Sequence, residues 1–376
     1  MTPRKTAPEG GAETNGVNMS TIKTCLLASA FILAAAPAAA QTVVSQTGGR
    51  LSLTTPNGDQ SLKAEVGPIP GVVRVSGFPG VPDGREYSGV TGLAIQTGAG
   101  KDSVEVEVDS AQSLDVSIDT GAGESQSKVK WKIAAGVASA TANVDISSAT
   151  AGVQVASVEI DSEAQNAAIT VRAPTASEAQ VKVNSSNAST FLKATIDSAA
   201  PKLSVDLSSE ASALEVDLRA AASSRTREAT YSILQGRVAP VSVNWAVDGS
   251  GSADRIEGKI VAPGGTITQR GQIRTLGGDD TVTIETDSFG AVTGLVINGG
   301  AGRDVLSQAV KGRFFPSQTL QTRMLGADGD DDLILTTDTG IFGTGLPNDL
   351  FPIIDCGNGN DRFNAFGVIR SCEARL

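Results

Sequence analysis

Five aspartates share one local grammar. Asp102, Asp280, Asp304, Asp331 and Asp361 each have a glycine two residues before them: Gly100, Gly278, Gly302, Gly329 and Gly359. Two residues after each stands an apolar side chain: Val104, Val282, Leu306, Leu333 and Phe363. Seven residues before each stands another: Ile95, Ile273, Ile297, Met324 and Ile354. The unit reads as a strand, a tight turn and a strand, with one carboxylate held at the turn. Residues 90–102 (VTGLAIQTGAGKD) and 292–304 (VTGLVINGGAGRD) are identical at nine of thirteen positions. Recurrence of this kind makes a repeat architecture, in which each unit buries its apolar face against the next, the first hypothesis.

Between Ser103 and Arg219 the pattern is almost pure period two. VEVEV (104–108), LDVSI (114–118), VKWKI (129–133), VKV (181–183), LSVDL (203–207) and LEVDL (214–218) are half-buried strands. A weaker strand is expected near 192–196. The Asp turns recur after 24, 27 and 30 residues from Asp280 onward. A repeat of two strands in about 24 residues is one coil of a parallel β-solenoid, of the β-helix or β-roll kind. An antiparallel β-sandwich array also accommodates short strands at this spacing. The turn recurring at every second strand favours the solenoid. Residues 219–258 break the rhythm and read as a loop or short helix followed by a flexible turn, forming a bulge or a seam. The expected divisions are 1–40, 41–102 (opening strands and a cap), 103–235 (Ser/Ala-rich solenoid) and 236–376 (Asp/Gly-turn solenoid).

Residues 1–40 have the layout of a secretory signal. From Met19, the expected true start, one Lys precedes an apolar run from Cys25 to Ala36, and Ala38-Ala39-Ala40 offers a small-residue cleavage site. The run is too short to span a bilayer, and no later segment is apolar enough to do so. A secreted, periplasmic or cell-surface location follows as the expectation. Cleavage removes three basic and two acidic residues and leaves 27 basic against 39 acidic. Such an acidic chain is a poor partner for nucleic acid and a plausible host for hard cations, which prefer oxygen ligands. The chain has no histidine, which removes His-assisted nucleophilic catalysis. Cys356 and Cys372 remain as an even pair and read as a disulfide.

The turns GGAGRDVL (299–306), GADGDDDL (326–333), CGNGNDRF (356–363) and, more loosely, TGAGKDSV (97–104) and TLGGDDTV (275–282) resemble the hemolysin-type (RTX) calcium-binding nonapeptide. That resemblance implies a calcium-binding β-solenoid in which Asp280, Asp304, Asp331 and Asp361 are ligands, completed by turn carbonyls. Asp328, Asp330 and Asn360 are further oxygen donors beside them. The acid cluster 328–332 points the same way, because a bound cation relieves its like-charge repulsion. Asp102 stands apart from the others, and Lys101 and Arg303 offer local neutralisation to Asp102 and Asp304. The departures from the family are turns that come once per coil and a signal at the amino end.

The leading functional expectation is therefore non-enzymatic: a calcium-binding solenoid with a structural or adhesive role at the cell surface. Its partners would be calcium and a surface polysaccharide or protein. A polysaccharide lyase or glycoside hydrolase on a parallel β-helix is the alternative, by analogy of fold alone. Aromatic residues make up 4% of the chain, few for a sugar-stacking cleft.

Overall fold

The computed structural model describes residues 41–109, 113–148, 153–186, 189–312, 320–337, 352–365 and 367–376. The signal-peptide reading of residues 1–40 lies outside them. The described chain is all-β, a parallel β-solenoid with successive turns about 26 residues apart. Each coil contributes two strand segments, which run together as one strand in Arg255–Leu276 and Thr281–Ala301, and each segment pairs in parallel with its equivalent one coil later. The sandwich alternative fails on this pairing. Among the described residues, antiparallel pairs occur only in the first five strands, where Val43–Thr47 lies on Arg50–Thr54 and Val73–Ser76 joins Ser61–Val66 to Arg85–Tyr87. These hairpins lie at the amino-terminal end of the described coils.

Period-two sequence becomes a solenoid because like side chains stack from coil to coil. On one sheet the register runs Leu93, Val116, Val144, Val171, Ile196, Leu218, Trp245. On the other it runs Val106, Val129, Val158, Val181, Val205, Tyr231. All thirteen side chains are buried. A slip of one residue in any strand would turn its whole apolar set to solvent, so the register is strongly held. Outside, short polar bridges repeat the step, such as Asn184 Nδ2 to Asp161 Oδ1 at 2.6 Å and Lys182 Nζ to Glu159 Oε1 at 3.0 Å. Such exposed pairs contribute at most about 1 kcal/mol each.

The expected break at 219–258 is no seam: its loop is confined to 221–227 and its turn to 251–254. Glu228–Gln235 and Val241–Ser250 are ordinary coil strands, paired on both sides. The segment 221–227 is only a longer turn, and pairing crosses the 235/236 division without interruption. Ser- and Gly-rich composition misled here because the outward positions of a coil carry no burial requirement. The weak strand is Phe191–Ser198.

Candidate functional site

The turns that lead from the first strand of each coil to the second stack along one edge. The strand register places Gln60, Asp102 and Ser125 in one column at its start. The same column ends with Arg227, Asp254, Asp280, Asp304, Asp331, Asp361 and Glu373. The aspartates point inward and are buried, Asp304, Asp331 and Asp361 to 0% exposure.

One hydrogen bond repeats down the column. The backbone N–H of each residue donates to Oδ1 of the aspartate one coil later. Arg227 donates to Asp254 at 2.5 Å, Asp254 to Asp280 at 2.6 Å and Asp280 to Asp304 at 2.9 Å. Asp304 donates to Asp331 and Asp331 to Asp361, both at 2.8 Å. Glu373 ends the series by accepting the Asp361 N–H at 2.9 Å through Oε2. Each carboxylate thus has one oxygen committed to the coil before it.

The second oxygen separates two classes. Asp102 Oδ2 accepts the Thr97 hydroxyl at 2.6 Å. Asp254 Oδ2 accepts the Ser250 N–H at 2.5 Å, and its Oδ1 also takes the Ser250 hydroxyl at 2.7 Å. In Asp280, Asp304, Asp331 and Asp361, Oδ2 is buried and has no hydrogen-bond partner. An ionised oxygen left this way in the interior costs several kcal/mol in order of magnitude unless something compensates it. The environment already disfavours the charge. Burial pushes Asp280 up to about 7 and repulsion from Asp304 and Asp254 adds to it, against the pull of the Asp254 N–H and of the nearby Thr275 hydroxyl, which donates to the Gly299 carbonyl at 2.6 Å and leaves Oδ2 without a geometric hydrogen bond. Burial likewise raises Asp304 and Asp331 to about 6, and it raises Asp361.

Glycine shapes the same turns. A Cβ on Gly299 or Gly326 would collide with Oδ2 of Asp304 or Asp331, five residues on. A Cβ on Gly302, Gly329 or Gly359 would strike the carbonyl of the glycine one coil back. The glycine two residues before each Asp is therefore a requirement of coil-to-coil contact as well as of conformation (φ of 138°, 141° and 154° at these three). Four residues before the Asp the backbone is left-handed in every one of the four carboxy-terminal turns. Gly300 and Gly357 fill that position at 93° and 94°, but Leu276 and Ala327 also adopt it, at 75° and 81°.

The site residues expected from sequence fall into two groups. Asp280, Asp304, Asp331 and Asp361 share the inward column. Asp328, Asp330 and Asn360 lie on the exposed outer side of the turns and bind one another's coils. Asn358 Nδ2 donates to Asp328 Oδ1 and the Asn360 N–H to Asp330 Oδ1, each at 2.9 Å. Lys101 pairs with Glu124 at 2.8 Å, so the expected neutralisation of Asp102 by Lys101 gives way to the Thr97 hydroxyl. The Arg303 side chain is exposed, and its backbone N–H donates to Asp279 at 2.9 Å.

Arg227, Asp254 and Glu373 were not expected in the column. Asp254 was findable, since Val247 and Ile256 stand at the right offsets. Ser252 in place of the glycine hid it. Among the described residues no three His, Cys, Asp or Glu side chains form a metal-binding group. A cation in the column would thus be held by carboxylates of adjacent turns together with backbone carbonyls. The unpaired inward oxygens fit that role for a hard cation. Beside these turns, Cys356 and Cys372 are disulfide-bonded with their Cα atoms 5.1 Å apart.

No family model, curated protein or solved structure matches this chain.

Proposed function

We propose that this protein is an RTX-like calcium-binding β-solenoid, exported to the periplasm or cell surface, with a structural or adhesive role. The observation that carries this reading is the run of four buried aspartates whose Oδ2 atoms have no partner. Asp280, Asp304, Asp331 and Asp361 would hold calcium, and carbonyls of their turns would complete the shells. Bound calcium supplies positive charge where burial disfavours carboxylate ionisation, and ties each coil to the next. Asp102 and Asp254, saturated by Thr97 and Ser250, stand outside the set. Asp328, Asp330 and Asn360 support the turns from outside through their hydrogen bonds.

The role is mechanical and not catalytic. The solenoid provides a long, regular polar surface for a surface polysaccharide or protein, with the calcium-tied coils at its carboxy-terminal end. Turnover of a uronate polymer by the purified chain, abolished by one Asp or Lys substitution, would count against it.

Calorimetric titration of the chelator-stripped chain with calcium tests the reading. Extracellular calcium modules bind with Kd on the order of 10⁻⁴–10⁻³ M. At a free concentration about tenfold above Kd, linkage stabilises the fold by roughly 1.4 kcal/mol per site. Absence of binding heat together with identical melts with and without chelator would sink it.

A further inference from the structure

Glu373 lies outside every Gly-x-Asp turn, yet the register makes it the next member of the column. Arg362 pairs with Ala374, so Asp361 and Glu373 occupy equivalent positions one coil apart. Glu373 also makes the column's repeating bond, accepting the Asp361 N–H at 2.9 Å. Its other carboxylate oxygen is not used in that bond. Asp361 is 0% exposed and its Oδ2 is unpartnered, whereas Glu373 itself is exposed. Each preceding unpartnered carboxylate in the column has an acid one coil later, and Asp361 has Glu373.

The last coil is short and is paired with the coil before it through both of its strands. Its strands are Val368–Arg370 and Ala374–Arg375. The Cys356–Cys372 bond joins the residue immediately before Glu373 to the residue five before Asp361. That position is taken by Thr97, Gly249, Thr275, Gly299 and Gly326 in the other turns. The disulfide thus ties the residue before Glu373 to the turn of Asp361, beside the Ala374 N–H, which donates to the Asp361 carbonyl at 3.1 Å.

We infer that Asp361 and Glu373 form a terminal site for a divalent cation, and that the Cys356–Cys372 disulfide holds this site together. The inference rests on the calcium reading and extends it to a ligand that the repeat motif does not contain. The site takes a hard divalent cation through two carboxylates of unequal length, and it exists only in the oxidised chain. Reduction releases the segment carrying Glu373 and dismantles this site, leaving the carboxylates of Asp280, Asp304 and Asp331 in place.

The test compares calcium stoichiometry in wild type, Glu373→Gln and the reduced wild-type chain, all as the full mature protein, by equilibrium dialysis. The amide of the Glu373→Gln variant keeps an oxygen for the Asp361 N–H but loses the charge. Expected is the loss of one calcium equivalent, or a tenfold or greater weakening of one, in Glu373→Gln. Its melt in chelator should match wild type and its free-thiol count should be zero. The reduced chain should lose the same equivalent. Unchanged calcium binding in Glu373→Gln would overturn the assignment. A parallel fall of the chelator melt would also overturn it, since Glu373 would then be a cap alone. A wild-type chain that binds no calcium fails the underlying reading, an outcome distinct from a wild-type chain that binds calcium and a variant that binds just as much.

Discussion

Asp331 Oδ1 accepts the backbone N–H of Asp304 at 2.8 Å across a step of 27 residues, while Asp331 Oδ2 is buried with no partner. One carboxylate thus closes the coil-to-coil ladder and presents an unsatisfied oxygen. The two halves of that arrangement separate by mutation. Asp331→Ala removes both: the Asp304 N–H is orphaned, at about 1–3 kcal/mol, and the calcium-dependent rise in melting temperature shrinks. Asp331→Asn keeps the acceptor and loses the charge. It should melt at or above wild type in chelator at neutral pH and still show the reduced calcium response. Paired melts with and without chelator read both effects. An Asp331→Asn chain with the full wild-type calcium increment would remove Asp331 from the ligand set.

The raised carboxylates dictate a pH dependence. A carboxyl whose folded pKa lies above its unfolded value binds more protons when folded. Stability from that group is full below the unfolded pKa, near 3.8, and is lost as pH rises through the folded value. For Asp280 that value is about 7, and for Asp304 and Asp331 about 6. In chelator, the carboxy-terminal coils should therefore lose stability between about pH 4 and 7. Saturating calcium should flatten that loss, because the cation replaces the proton. Urea melts across the range, followed by hydrogen exchange in 281–312, provide the measurement. A chelated protein that gains stability from acid to neutral pH in that segment would contradict the assignment.

Glycine positions in the turns should not be interchangeable. Gly302→Ala places a Cβ against the Gly278 carbonyl at a φ of 138°. Strain and overpacking together should cost about 2–5 kcal/mol. Leu276→Gly should act in the other direction, since Leu276 is left-handed and about half exposed (48%). Relief of that strain, less the added chain entropy of glycine, leaves a gain of up to about 1 kcal/mol. Chemical denaturation of the two variants checks both signs.

A chain of residues 41–376 should carry no free thiol when denatured without reductant. Closing a loop of this length stabilises by about 3 kcal/mol in the chain-entropy model. Reduction should thus lower the melting temperature of the carboxy-terminal coils first, seen as early loss of exchange protection in 353–370. Two reactive thiols in protein expressed in the periplasm would remove the clasp.

Much of the architecture followed from sequence alone. Period two in VEVEV and LSVDL determines strands, because a pleated chain buries alternate side chains wherever it lies. The recurrence of Gly-x-Asp at every second strand from Asp280 onward favours coils, and the parallel pairing of equivalent strands then excludes the sandwich array. The pairing of Cys356 with Cys372 was legible for the same reason, one circuit bringing the chain back beside itself.

Which oxygens are satisfied was decided only by the tertiary structure. Asp102 and Asp304 have the same local grammar, yet Thr97 caps the first and Gly299 leaves the second open. Asp254 escaped notice behind Ser252, and Glu373 behind the end of the motif, since membership in the column depends on register and not on neighbours in the chain. Asp328 and Asp330 stand in the same row of acids as Asp331 but face outward. A hydrogen-bond account is a property of stacked coils, and adjacent residues in a strand point to opposite sides of it.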